Sequence, residues 1–203
     1  MGIFDWLKGE RSNVEVANDL IWLTKAAKFA GISAQLSEIL AGPDAPDAIF
    51  LAAHFQDCLD EFRSLAASGG FDPDRVMVTT ADALAGHSAS GMGLGENQAV
   101  LIVVAERHPL RSHDEAIADF ARTLPCRCRL VFHTSLEDPL MRVFAGEWVQ
   151  NLLKRLGMSE NEAIESRMVA RKVTQAQKTI EGHARGDLPA DSAEEWIKLN
   201  RRG

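Results

Sequence analysis

Asp19-Leu20-Ile21-Trp22-Leu23-Thr24, running into Lys25 to Ala41, is the stretch that decides the fold. A compact apolar run of strand length gives way to a segment in which Phe29, Ile32, Leu36, Ile39 and Leu40 recur at helical spacing, so a strand feeds an amphipathic helix. The unit recurs downstream. After the turn chemistry of Gly42-Pro43-Asp44-Ala45-Pro46, Ala48 to Ala52 reads as a buried strand, and His54 to Ala67 carries Phe55, Cys58, Leu59, Phe62 and Leu65 on one helical face. Gly69-Gly70 ends that helix, Arg75 to Thr79 is strand-like, and Ala99 to Ala105 (AVLIVVA) is the most strongly β-branched run. Ser112 to Leu124 predicts a helix that Pro125 stops before a strand over Arg127 to Thr134.

Uniformly apolar strands alternating with helices imply an α/β fold, a parallel sheet covered on both faces. From Pro139 onward no strand pattern is read. Leu140, Phe144, Val149, Leu152, Leu153 and Leu156 continue a helical stripe, Ser159 with Glu162 fits a capping box opening a helix through Gly182, and Asp191 to Arg202 suggests a final short helix. The expected organisation is an N-terminal segment over 1–12, an α/β domain over 13–138 and a helical appendage over 139–203.

With 203 residues, 46% of them hydrophobic, the chain is long enough to hide roughly 70% of its unfolded surface. A formal net charge of −7 argues against a dedicated nucleic-acid binder, which needs surplus Lys and Arg to neutralise phosphates. Cys58, Cys126 and Cys128 make an odd count with no signal-peptide pattern before them, so reduced thiols in the cytoplasm are expected. No apolar run approaches the roughly 20 residues of a membrane span. Any contact with the inner membrane would be peripheral, through Ile3, Phe4, Trp6 and Leu7, where Ile3, Phe4 and Leu7 share one helical face, Trp6 flanks it and Lys8 follows; a short helix docking on its own domain is the plainer expectation.

Ser135-Leu136-Glu137-Asp138-Pro139-Leu140-Met141-Arg142-Val143-Phe144 closely resembles the stretch that ends the second nucleotide-binding lobe of bacterial SecA preprotein-translocase ATPases. Glu106-Arg107-His108 agrees in order, as do Leu156-Gly157-Met158, Ala163-Ile164-Glu165 and Ala176-Gln177, where the long scaffold helix of SecA begins. Asp19 to Phe29 and Val76-Met77-Val78-Thr79-Thr80 are similar more weakly, so the resemblance spans 19–181. It implies a RecA-like sheet followed by a helical appendage.

The departures bear on activity. Arginines of that lobe act on a nucleotide held mainly by a first lobe, because an always-charged fork stabilises phosphoryl charge. Where the family reads Ala-Gly-Arg-Gly-Thr-Asp, this chain has Ala85-Gly86-His87-Ser88-Ala89-Ser90, and three further arginines fall on Ala118, Phe120 and Thr123. Arg122 is one residue, or about 100° of helix, away from the last. No Gly-x-x-x-x-Gly-Lys-Ser/Thr loop is present in the sequence. The resemblance therefore implies a degenerate lobe without catalytic residues, an interaction or regulatory module whose protein partner is SecA or another export component, with Glu106, Arg107, His108, Glu137, Asp138 and Arg142 as candidate contacts. The alternative is a regulator that binds ATP or ADP without hydrolysis through Gly86, His87, Ser88 and Gly91. No cofactor and no metal is otherwise expected. Cys126 and Cys128, joined by Cys58 or His133, would suit a soft metal, but Cys-x-Cys without a second pair reads as idle thiols. His108, His113, Asp114 and Glu115 would draw an acid/base or metal group, and read instead as a solvated helix start.

Overall fold

The computed structural model describes residues 13–87, 92–143, 159, 162–165 and 167–201. The N-terminal amphipathic segment, Ser88, Gly91 and the stripe from Phe144 to Leu156 lie outside them. β1 (Val14–Val16) and β2 (Leu20–Trp22) lie in succession along one flank of β6 (Arg127–Ser135), with Val16 opposite Leu130 and Leu20 opposite His133. β3 (Ala48–Ala53), β4 (Val76–Thr80) and β5 (Ala99–Ala105) complete the parallel set. The order across the sheet is β4-β3-β5-β6-β2, ending in a two-residue strand β7 (Ile164–Glu165) that pairs antiparallel with β2.

Side-chain alternation along the central strands builds two cores. Ala48, Phe50 and Ala52 of β3 face α3 (Ala81–Gly86) and α4 (Arg111–Thr123), which contribute Leu84, Ile117, Phe120 and Ala121. Ile49, Leu51 and Ala53 face α1 (Lys25–Ala41) and α2 (Gln56–Gly69), which contribute Phe29, Ile32, Leu36 and Phe62. Each fully buried side chain of this size contributes about 1.5–3 kcal/mol. Thr24 caps α1 by accepting the Ala27 N–H at 3.0 Å, and α2 ends on Gly70 at φ 62°, the left-handed position glycine occupies without strain.

A third core lies across the carboxyl ends of the strands. α5 (Pro139–Arg142), α6 (Arg167–Glu181) and α7 (Ala193–Asn200) set Leu140, Met141, Val173, Ala176, Ile180 and Trp196 against Ile21, Leu23 and Phe55. Two expectations need correction. The helix read from Ser159 begins at Arg167, because Ile164 and Glu165 pair with the edge of β2; within the preceding segment, the Glu162 N–H bonds to the Ser159 carbonyl. β1 was also not anticipated, since three residues with a half-exposed pattern carry too little periodicity to register.

Among the described residues, no helix is long and apolar enough to cross a membrane.

Candidate functional site

In a parallel α/β sheet the carboxyl ends of the strands frame the crevice in which ligands and partners are met. Here that edge gathers Lys25 and Lys28 after β2, His54 and Asp57 after β3, Glu106 to His108 after β5, and Ser135 to Asp138 after β6.

The Ser-Leu-Glu-Asp segment closes the edge. Asp138 accepts from Lys28 Nζ at 2.9 and 3.0 Å, from the Ser135 N–H at 2.7 Å and from the Ser135 hydroxyl at 2.6 Å. Lys28 is 0% exposed and Asp138 is 4% exposed, so the pair survives by mutual compensation. Burial opposes the Lys28 charge, but Asp138 and Glu106 outweigh it and raise its pKa. Arg142, four residues on, is exposed, and the Asp138 carboxylate turns inward to Lys28. Glu137 instead accepts the Lys25 N–H at 2.7 Å, placing a carboxylate on the positive end of α1.

The Glu-Arg-His segment closes the neighbouring end. Glu106 turns out of β5 at φ 60°, an uncommon conformation for a non-glycine residue, while its N–H donates to the His133 carbonyl at 2.8 Å. Its side chain is 4% exposed, and Oε1 has no hydrogen-bond partner among the described residues. Burial, with Asp138 nearby, pushes its pKa up to about 8. Arg107 lies over the Phe132 ring, 3.5 Å from the centroid, and bonds Asp19 through Nε at 3.1 Å and Asp114 through Nη1 at 3.3 Å. Asp114 also accepts from His54 at 3.0 Å, from the His108 N–H at 3.1 Å and from Gln177 at 2.7 Å. Burial works against its charge, yet His54, Arg107 and the His108 amide hold its pKa below the usual carboxylate range. Gln177 donates as well to the His108 carbonyl at 2.9 Å, fastening α6 to the sheet.

The expected contact residues are thus brought together, but three of them face inward. Glu106, His108 and Asp138 are each 4% exposed; Arg107 and Glu137 are half-buried, and Arg142 is exposed. The reading of His108 and Asp114 as a solvated helix start is likewise corrected, since both are buried, and burial beside His54 and His113 pushes the His108 pKa down to about 3. A cavity of about 240 Å³ opens over this edge between Lys25, Asp57, Glu106, Glu137, Arg142 and Glu194. Its lining carries more acid than base.

The glycine loop lies elsewhere. Gly86 and His87 end α3 beside a cavity of about 530 Å³ at the opposite, amino edge of the sheet, where Asp47 and Gln98 precede β3 and β5. Asp47 and Asp74 line it, and no Lys or Arg does among the described residues, so its described lining offers a phosphate no cation. The residues aligned with the family's three arginines serve packing and the surface: Phe120 is a core residue, Ala118 is half-buried against that core, and Thr123 is exposed and donates its hydroxyl to the Phe120 carbonyl at 2.7 Å. Arg122 is exposed and paired with Asp119. The cysteines are dispersed as well. Cys126 and Cys128 point into the core under α4, whereas Cys58 lies in the core on the other face with α1 and α2. His133 joins none of them; it accepts a hydrogen bond from Trp22 Nε1 at 3.2 Å, and burial pushes its pKa down to about 3.

Comparison with known proteins agrees with the motifs. The chain is 34% identical over 151 residues to the protein translocase subunit SecA of Nitratidesulfovibrio vulgaris, covering 73% of this chain and 17% of that protein. It is 36% identical over 113 residues to SecA of Clostridium beijerinckii, covering 54% of this chain and 13% of that one. SecA of Clostridium perfringens is 37% identical over 109 residues. The chain therefore spans less than a fifth of the length of these relatives. No family model matches. Among solved structures, the C-terminal part of the Fun30 ATPase domain aligns with a TM-score of 0.41 at 11% identity, covering 77% of this chain and 54% of that one.

Proposed function

We propose that this chain, which resembles one segment of the SecA preprotein translocase, is a non-catalytic docking or regulatory module of protein export. The observation that carries this reading is Phe120. One of the three positions at which the resemblance requires a phosphate-directed arginine is turned into the core and filled by a phenyl ring 4% exposed. A guanidinium there would lose its solvation without gaining a phosphate.

Retention of the shared motifs has a physical reason that is independent of hydrolysis. Asp19, Lys28, Arg107, Ser135 and Asp138 are the internal struts of the carboxyl edge, and losing any one leaves a buried charge or polar group uncompensated. The edge thereby keeps its shape, and its outer rim of Lys25, Asp57, Glu137, Arg142 and Glu194 is the surface offered to a protein partner.

The test has two arms. Purified chain incubated with ATP and magnesium is expected to show no turnover above a blank. Purified SecA, or SecA bound to the membrane translocase, is expected to bind the chain in a pull-down and to bind the Arg142→Glu variant more weakly. Magnesium-dependent turnover, or no binding to any purified translocase component, would refute the proposal.

A further inference from the structure

We propose that His108, His113 and Asp187 form a site for one divalent transition-metal ion of the zinc class, clipping the carboxy-terminal appendage to the sheet. One ligand atom from each of the three lies within 4.8 Å of the others. They arrive from separate elements: His108 from the exit of β5, His113 from the first turn of α4, and Asp187 from the connection between α6 and α7.

The supporting contacts are those a metal site needs. A histidine ligand presents one nitrogen to the ion while the other is held by a carboxylate or a backbone carbonyl, which fixes ring and tautomer. His108 Nδ1 accepts the Leu110 N–H at 3.0 Å; with the proton moved to Nδ1 it would donate instead to the Leu110 carbonyl at 3.3 Å, and Nε2 would present its lone pair to the ion. His113 Nδ1 sits 3.5 Å from Asp82 Oδ1, and its Nε2 is 2.7 Å from Asp187 Oδ2. Asp187 Oδ1 accepts the Trp196 indole N–H at 2.8 Å, which aims the second oxygen at His113. Each ligand thus has an outer partner.

The His108 and His113 centroids are 3.9 Å apart, and His54 stands edge-on to His108 at 5.2 Å. Bonds of about 2.0–2.2 Å in a tetrahedron separate ligand atoms by roughly 3.3–3.6 Å, so the 2.7 Å His113–Asp187 contact opens by about 0.6–0.9 Å when an ion replaces the shared proton. Two imidazoles and one carboxylate favour zinc, cobalt or nickel over magnesium or calcium, which take oxygen ligands. His113 is half-buried and Asp187 exposed, so the ion enters from solvent and a water completes the fourth position.

Untagged, chelator-stripped chain titrated with Co²⁺ is expected to develop the visible absorption of a tetrahedral cobalt centre. Calorimetry with Zn²⁺ is expected to show one equivalent bound, with Kd on the order of micromolar or tighter. His113→Ala and Asp187→Asn are each expected to weaken binding by about 10-fold or more. Asp187→Asn keeps an oxygen for Trp196, which preserves the fold if the alanine variant does not. His183→Ala, an exposed histidine outside the cluster, is expected to bind as the parent does. Zn²⁺ should raise Tm in the parent and His183→Ala chains only. No cobalt spectrum and no zinc heat at about 1 mM metal would overturn the site. So would binding that survives both ligand variants, or a thiolate charge-transfer band placing the ion on cysteine.

Discussion

Replacing Lys28 with methionine isolates the energetic centre of the carboxyl edge. The substitution keeps most of the apolar stem and deletes the one charge that faces Asp138 across 2.9 Å. Asp138 would retain the Ser135 N–H and hydroxyl, but its carboxylate would stay buried with Glu106 nearby and no cation in contact. Removing one partner of a buried pair costs about 3–5 kcal/mol. For a chain of this size each kcal/mol lowers Tm by about 2–4 °C, so a fall of roughly 6–20 °C is expected. Guanidinium titration and differential scanning calorimetry would read it. The Lys28→Met/Asp138→Asn double variant should recover much of the loss, since a buried pair replaced on both sides leaves no uncompensated charge. A single variant within about 1 kcal/mol of the parent, or a double variant no more stable than the single, would refute the reasoning.

Further outcomes follow from the same geometry. Glu106 has its pKa raised from 4.5 to about 8 in the folded state, so the folded chain holds a proton that the unfolded chain releases, and stability should fall as pH rises through that interval. Glu106→Gln should flatten this slope and be more stable than the parent at pH 8 by roughly 2–4 kcal/mol, read from denaturation midpoints at several pH values. At Gly31 an added Cβ would lie 1.9 Å from Trp22 Cη2, so Gly31→Ala should destabilise by about 1–3 kcal/mol despite its better helix propensity, with a shift in tryptophan fluorescence. Phe120→Arg should cost more than about 3 kcal/mol, whereas Ala118→Arg and Thr123→Arg should be tolerated; none of the three should confer ATP turnover in a phosphate-release assay.

The sheet was legible because its strands are apolar on both faces and its helices carry long stripes. Phe29, Ile32 and Leu36 announce α1 as plainly as the run from Ala99 to Ala105 announces β5. Strands β1 and β7, of three and two residues, hold their places through partners distant in the chain, and nothing local marks them. The site divides in the same way. The Ser-Leu-Glu-Asp and Glu-Arg-His segments were visible as motifs, but nothing local joined Asp138 to Lys28, 110 residues away, and only the third dimension brought the two together. The meeting of His54, His108, His113 and Asp187 had even less signal. Two of these histidines lie five residues apart, while the other two members come from chain segments that converge only after the sheet and appendage have packed.

Strand β7 gives the appendage a protective duty. Residues Ile164 and Glu165 occupy the hydrogen-bonding rim of β2 at Leu20 and Ile21, where a flat apolar border would otherwise recruit strands from other molecules. A fragment ending at Arg142 would bare that border together with Ile21, Leu23 and Leu140, inviting self-association. Any partner that peels the appendage away must therefore supply a strand of its own, or the exposed rim will find one in a neighbouring copy.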